Sequence, residues 1–159
     1  MTQLWAVAVH ESGHAVAART CGLTVMRVSI ELVFDRFYQT WRSGTTEIEV
    51  VGDIARDFSP LMKRRLRAEA IALLAGPAAE RFAQEADVGA PEPAREGDID
   101  ARQARWLLSR DVAAHDLPRE LRRAQTIAER IVHTRWPAIE RLAARLLRSR
   151  EITWRIRDG

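Results

Sequence analysis

The sequence predicts a predominantly helical α+β fold in one domain over residues 1–159, in which a motif helix and a small β-sheet or hairpin precede a helical bundle. Three observations support this prediction. A histidine-bearing segment near the start of the chain is apolar and free of proline, which favours a helix. Short runs rich in β-branched residues follow it and favour strands. The later part of the chain has apolar residues at helical spacing.

The first elements expected along the chain are a helix over residues 3–21, ended by Gly22, and a strand over residues 25–33. Two further β stretches are expected over residues 37–41 and 45–51. Together these segments predict a small sheet or a curled hairpin of three short strands.

Ser59 and Pro60 predict the start of a second helix, with the serine as N-cap and the proline at the first helical position. Gly76-Pro77 is expected to interrupt or bend this helix. Residues 87–97 have the composition of a loop. A third helix is expected to begin near residues 98–100 and to continue past Leu108. Two more helical segments are expected beyond Pro118; they are split near Pro137, and the second ends around Arg150.

Residues 10–14 read His-Glu-Ser-Gly-His, an H-E-x-x-H motif within an apolar run. On a helix, positions i and i+4 lie on the same face, so His10 and His14 can both reach one zinc ion. Glu11 lies next to that face, where its carboxylate can act as a base toward a water molecule at the metal. The spacing therefore predicts a zinc site with a catalytic base beside it.

The alternative interpretation of the motif is a buried helix that carries two satisfied histidines, because the bare pattern also arises by chance. Two imidazoles and a carboxylate on one turn of an apolar helix are costly to bury unless something organises them. Gly13 lowers helix stability by roughly 1 kcal/mol relative to alanine, which indicates that another segment packs closely against this turn. We therefore favour the zinc interpretation.

Composition limits the classes of function. Hydrophobic residues make up 47% of the 159-residue chain, which is typical of a globular domain with a core. We expect a soluble cytoplasmic protein, because no apolar run is long enough to cross a membrane and no signal peptide is recognisable. The single cysteine, Cys21, cannot form an internal disulfide and lies too far along the helix from His14 to share its metal.

The net charge of +3 is unevenly placed, since the chain beyond residue 97 is basic and its charge comes mostly from arginine. Basic helices can bind the phosphates of nucleic acids. Between residues 119 and 150, however, glutamates and a regular apolar stripe interleave the arginines. This pattern favours a solvated helix face over nucleic-acid binding.

A catalytic zinc site needs a third protein ligand. His115, near a helix end, and His133, in the arginine-rich helix, are better explained as surface or interhelical residues. The remaining candidates are carboxylates that lie on a helix or open one. They are Glu69, Glu80, Asp98 and Asp100.

Four segments together resemble the peptidase domain of the FtsH family of AAA proteases. Residues 9–18 look like the zinc motif of that family. Residues 76–80, Gly-Pro-Ala-Ala-Glu, are similar to its second landmark, a Gly-Gly-Arg-Ala-Ala-Glu-like stretch. Residues 97–104 resemble the third, in which an aspartate opens a helix and an alanine follows four residues later, and residues 139–147 resemble the last helix. The landmarks occur in the family's order and span nearly the whole chain.

This resemblance implies that His10 and His14 are zinc ligands and that Glu11 is the catalytic base. The Asp-to-Ala spacing, matched by Ala104, implies Asp100 as the third ligand.

Asp98 is the alternative third ligand. In the family a glycine usually stands four residues before the ligand aspartate, whereas Gly97 stands three residues before Asp100. A zincin with a glutamate ligand on a downstream helix would use Glu80 instead. Otherwise Glu80 orients a ligand or is a charged residue on a partly exposed helix.

The departures from the family are informative as well. Pro77 replaces the usual glycine or arginine, so that helix is expected to bend. No G-x-x-x-x-G-K-[ST] phosphate loop and no membrane anchor are present in the sequence. We therefore expect a free-standing relative of the peptidase domain that forms a homo-oligomer or works with a separate ATPase partner. Its expected substrates are peptides or unfolded protein segments.

The sequence thus predicts a zinc-dependent metalloendopeptidase, with Zn²⁺ as cofactor and Glu11 as general base. Substrate is expected to add as a strand to a sheet edge, for which residues 37–41 are the candidate. The first alternative is a weakly active or inactive metal-binding regulatory module with the same fold. The second is a basic, helical nucleic-acid binder.

Overall fold

The structure, a computed structural model, describes residues 3–31, 34–35, 40–41, 44–49, 59–86 and 97–154. Its elements are α1 (Gln3–Thr20), β1 (Val25–Ile30), β2 (Phe34–Asp35), β3 (Thr40–Trp41), β4 (Gly44–Ile48), α2 (Pro60–Ala86), α3 (Gly97–Ser109), α4 (Leu117–Ser149) and β5 (Glu151–Thr153). The predicted fold class, predominantly helical α+β, is confirmed. Residues 87–96 of the loop expected at 87–97 and the ends of the expected strands at 32–33 and 50–51 lie outside the described residues, whereas Gly97 begins α3.

Helix α1 ends as the sequence predicts. Gly22 has a φ of +82°, a conformation that glycine adopts without a Cβ penalty. The N–H of Leu23 donates to the carbonyl of Ala18 at 2.9 Å, and the N–H of Gly22 donates to that of Arg19 at 3.1 Å. This pair of hydrogen bonds is a Schellman motif, which satisfies the last carbonyls of the helix.

The start of α2 also agrees with the prediction. The N–H of Met62 donates to Ser59 Oγ at 3.2 Å, so Ser59 caps the first turn and Pro60 occupies the first helical position.

Two prolines lie inside continuous helices. Of the interruption or bend expected at Gly76-Pro77, the interruption is absent, and the predicted split near Pro137 is wrong. Helix α2 continues past Pro77 to Ala86, and α4 continues past Pro137 to Ser149. A proline inside a helix removes one hydrogen bond to the residue four positions earlier. In α2 the turns on either side of Pro77 are buried in the core. In α4 Pro137 itself is exposed, and the buried side chains of Val132 and Ile139 hold the helix against the core on either side of it.

The main sheet is antiparallel, with the strand order β4-β1-β5. Val28 in the central strand is opposite Thr46 on one side and Ile152 on the other. Strand β5 was not predicted. Arg150, at a φ of 64°, ends α4 and turns the chain toward β1. The carbonyl of Arg150 accepts a hydrogen bond of 2.8 Å from the N–H of Ile30.

The sheet does not contain the predicted strand at residues 37–41. Of that segment the structure describes Thr40 and Trp41, which form β3 and pair with β2 in a separate two-stranded sheet. The third strand of the main sheet comes instead from β5, which follows α4 directly and brings the buried side chain of Ile152 against the core.

Helix α1 is the centre of the packing. It contacts α2, α4, β1 and β4, and α3 packs mainly against α2. Several α1 side chains, including Ala8, Val9 and Ala15, have no exposed surface. No helix in the described ranges combines the length and the apolar character that a membrane crossing requires.

Candidate metal centre

Three potential metal-ligand atoms converge between α1 and the first turn of α3. His10 Nε2 and His14 Nε2 lie 2.8 Å apart. Asp100 Oδ2 lies 3.1 Å from His10 Nε2 and 3.5 Å from His14 Nε2. In a tetrahedral zinc site with bonds of about 2.0–2.1 Å, neighbouring ligand atoms are about 3.3 Å apart. The three atoms therefore have the spacing of three corners of such a tetrahedron.

The outer nitrogens of both imidazoles face acceptors on α2. His14 Nδ1 donates to the carbonyl of Ala72 at 2.8 Å. His10 Nδ1 lies 3.1 Å from Glu80 Oε1, which is ion-pair distance but not a well-aligned hydrogen bond. Acceptors at Nδ1 favour the tautomer that carries its proton there, and this leaves a lone pair on each Nε2.

A cation fits the space that these groups surround. When both imidazoles are neutral and in that tautomer, as a metal requires, the two Nε2 lone pairs and the Asp100 carboxylate are all acceptors, and they face one another. Asp100 Oδ2 is buried and has no well-aligned hydrogen-bond donor among the described residues. An unsatisfied buried acceptor costs about 1–3 kcal/mol. Two imidazole nitrogens and one carboxylate oxygen could hold a metal ion, and this donor set suits zinc.

The ionisation of His10 and Asp100 is coupled. Burial lowers the pKa of His10, but contacts with the Asp100 and Glu80 carboxylates outweigh burial and raise this pKa to about 10. Burial would raise the pKa of Asp100, whereas His10 and His14 hold it well below its usual range. Without a metal, a proton therefore balances the carboxylate, and a metal would take the place of that proton.

Glu11 is buried beside this group and is held by β4. Thr46 Oγ1 lies 2.7 Å from Glu11 Oε2 and donates a hydrogen bond to it. A Cβ atom at Gly44 would overlap the Glu11 carboxylate, so any other residue at this position would displace that carboxylate. Glu11, His10 and His14 line the same cleft, which has a volume of about 360 Å³.

The walls of the cleft come from three other elements. Strand β4 provides one wall through Gly44, Thr45, Thr46 and Ile48, and α2 and α3 provide the rest through Ala72, Leu73, Ile99, Asp100 and Gln103. Residues 37–41 were predicted to supply the edge beside the site. Among the described strands, however, it is β4 that lines the cleft, because Thr40 and Trp41 pair with β2.

Close contact between α1 and α2 positions the histidines. A Cβ atom at Gly13 would lie 2.7 Å from the carbonyl oxygen of Ala75 and 2.8 Å from the Cβ of Ala79. A Cβ atom at Gly76 would overlap the His14 ring. The close packing predicted from Gly13 is thus confirmed, and Gly76 leaves the space that His14 occupies.

The structure separates the candidates for the third ligand. Asp100 joins the two Nε2 atoms, whereas Glu80 lies at the opposite nitrogen of His10. The side chain of Asp98 lies outside the described residues.

The other candidate side chains have different neighbours. Glu69 pairs with Arg65 at 2.8 Å, His115 is exposed beside Asp116, and His133 packs against the ring of Phe82. Cys21 is half-buried, and burial raises the pKa of its thiol.

Sequence reasoning missed Thr46, Gly44 and Ala72 as parts of the site. Ala72 acts through its backbone carbonyl, for which no residue type is a signal. Thr46 is a β-branched residue of the kind expected in any strand, and Gly44 directly precedes the expected β stretch over residues 45–51, where a glycine ordinarily marks a turn. Their roles depend on the register of β4 beside α1, which the sequence does not specify.

The fold and the site define a predominantly helical α+β protein with a buried His/His/Asp group that could hold a metal ion. The chain matches none of the models of known protein families, and a search of curated proteins found no match either. The relationship to the FtsH family therefore stays a prediction that rests on the four sequence landmarks.

Proposed function

We propose that the protein is a zinc-dependent metallopeptidase that hydrolyses peptide bonds in unfolded or flexible protein segments. His10, His14 and Asp100 are the proposed ligands, and Glu11 is the proposed general base. The observation that carries this proposal is the convergence of three ligand atoms within 4.8 Å of one another in a cleft that Glu11 also lines.

The residues of the chain have separate tasks in the proposed reaction. When bound, zinc supplies a Lewis acid that polarises the scissile carbonyl and lowers the pKa of a water molecule towards about 7. Glu11 accepts the proton of the attacking water and returns it to the leaving amine. Thr46 holds the Glu11 carboxylate, while Glu80 and the Ala72 carbonyl orient the two imidazoles.

The shape of the cleft supports an extended substrate. β4 is an edge of the main sheet among the described strands and lines the cleft, so a peptide can add to it by backbone hydrogen bonds. Such pairing needs a segment without its own secondary structure. Self-assembly or a separate ATPase partner, as in the FtsH family, would control which segments reach the cleft.

Metal analysis and a cleavage assay test the proposal. The purified protein should contain about one zinc ion per chain and should cleave a labelled unfolded protein. Glu11→Gln should keep the zinc and lose cleavage by about a hundredfold or more. Glu85→Gln, at an exposed position of α2, is the matched control and should retain both properties.

Zinc binding without Glu11-dependent cleavage would contradict the enzyme and favour the regulatory module. A protein that binds no zinc at neutral pH would contradict both interpretations.

A further inference from the structure

A second cleft, of about 520 Å³, lies between α1, α4 and the residue that follows β5. Four arginines line it, with Arg19 on α1 and Arg135, Arg141 and Arg145 on α4. All four side chains are exposed. The cleft shares no lining residue with the metal cleft.

Within the described part of the chain, the four arginines are not neutralised by neighbouring carboxylates. Some basic side chains elsewhere in the described structure are, as in Arg27–Glu47, Arg65–Glu69 and Arg67–Asp111. Among the residues that the structure describes, no carboxylate lies within ion-pair distance of the four arginines that line the cleft. Arg19 instead lies over the ring of Trp154, 5.6 Å from its centroid.

The cleft is elongated and has an apolar floor. Arg135, Arg141 and Arg145 follow one another along α4 at separations of about 9 Å and about 6 Å along the helix axis. Val16, Leu142 and Trp154 supply apolar surface between the arginines. The cleft thus offers a row of cations beside a hydrophobic strip.

We propose that this cleft binds a short, extended, carboxylate-rich segment of another protein. Guanidinium groups bind carboxylates through paired hydrogen bonds. In an extended chain, side chains on the same side repeat about every 6.6–6.8 Å, which is close to the separation of about 6 Å between Arg141 and Arg145 along the helix axis. Apolar residues between the acidic ones would lie on the floor.

The floor favours a polypeptide over single-stranded nucleic acid. Proteins bind single strands by stacking successive bases on several aromatic rings. This cleft has one aromatic side chain, Trp154, and Arg19 already covers its ring. The apolar part of the floor is aliphatic and suits side chains such as leucine or alanine.

Fluorescence anisotropy tests the proposal with a labelled peptide of about twelve residues, in which Asp or Glu alternates with Ala or Leu. We expect the purified protein to bind this peptide, with or without added zinc, with an affinity that falls as salt is added. The double variant Arg141→Gln/Arg145→Gln should bind about tenfold more weakly or worse. The control Arg122→Gln/Arg130→Gln, at exposed positions elsewhere on α4, should stay within about twofold of the unmodified protein.

Three results would overturn the proposal: no binding of the acidic peptide by the unmodified protein, an equal loss in the control pair, or tighter binding of an oligothymidylate of similar length. An unchanged helical circular dichroism signal and an unchanged midpoint of thermal unfolding verify that the double variant is folded. Arg135→Gln provides a second, single substitution in the same cleft. The readout uses neither zinc chemistry nor cleavage, so its failure is distinguishable from failure of the proposed peptidase function.

Discussion

His10 is contacted by carboxylates at both ring nitrogens. Asp100 Oδ2 lies 3.1 Å from Nε2, and Glu80 Oε1 lies 3.1 Å from Nδ1. The two nitrogens of an imidazole point in different directions, so a metal ion bound at one nitrogen cannot be ligated by both carboxylates. Because His14 Nε2 lies on the Nε2 side of His10, Asp100 is the better third ligand and Glu80 the better supporting group.

Substitution of these two carboxylates should have different effects on zinc. Asp100→Ala removes a ligand atom, and we expect the purified protein to lose its bound zinc. Glu80→Gln keeps the size of the side chain but removes its charge, and zinc affinity should fall by about 10–100-fold. Competition with a chromogenic chelator measures both effects, with Glu85→Ala as the control. If Glu80→Ala or Asp98→Ala releases the metal while Asp100→Ala retains it, the ligand assignment is wrong.

Thr46 should affect the rate without affecting the metal. Thr46→Val preserves the shape of the side chain but removes the hydrogen bond to Glu11. We expect the turnover number to fall by about tenfold while the zinc content stays unchanged, since the base is no longer held. Thr46→Ser restores the hydroxyl and should recover most of the rate. A serine variant as slow as the valine variant would instead indicate a packing role.

At the scale of elements, the contact between α1 and α2 sets the site, because it places His14 against Ala72 and Gly76 and places His10 beside Glu80, about one turn further along α2. Gly13 lies against Ala75 and Ala79 without room for a Cβ atom. This position thus requires glycine, a residue that destabilises an isolated helix.

Gly13→Ala should therefore destabilise the protein although alanine is the better helix former. The gain in helix propensity is about 1 kcal/mol, whereas overpacking of a tight core contact costs about 1–3 kcal/mol. We expect a net loss in the free energy of unfolding and weaker zinc binding, measured by urea denaturation and chelator competition. Thr20→Ala, at the exposed end of the same helix, is the control. A Gly13→Ala variant more stable than the unmodified protein would contradict this account of the contact.

Local signals predicted the elements well where they act within one segment. The H-E-x-x-H spacing, the Ser59 cap and the Gly22 stop each depend on neighbours a few residues away, and the last two are confirmed. Neither proline interrupts its helix, because packing of the helix against the core, a tertiary effect, outweighs one lost hydrogen bond. Strand β5 was missed because three residues form too short a pattern to recognise without their partner β1.

The same limit applied to the site. Both histidines and Glu11 were found from five consecutive residues. Asp100 could be chosen over Asp98 only through the family resemblance, since nothing in the sequence states which carboxylate of α3 faces α1. The roles of Thr46 and of the Ala72 carbonyl needed the positions of β4 and α2.

At the scale of the whole molecule, the proposed ligands belong to different parts of the chain. His10 and His14 lie on α1, while Asp100 lies on α3, which packs mainly against α2. A metal held by all three would tie α3 to α1. Metal binding should therefore stabilise the entire fold rather than one helix.

Zinc should raise the midpoint of thermal unfolding. At a free zinc concentration of about 100 times the dissociation constant, the expected stabilisation is about 2.7 kcal/mol. The chelator-treated protein should unfold at a lower temperature and recover when zinc is restored. Asp100→Ala should show little response to zinc. An equal response in this variant would show that the stabilising metal binds elsewhere.

The distance in sequence between these ligands also has a consequence during protein synthesis. The two histidines leave the ribosome early, but a nascent chain cannot complete the group until Asp100 has emerged and α3 has docked. High-affinity metal capture would thus be a late event of biogenesis. The acquisition of zinc by stalled chains of increasing length would report when α3 reaches its native position.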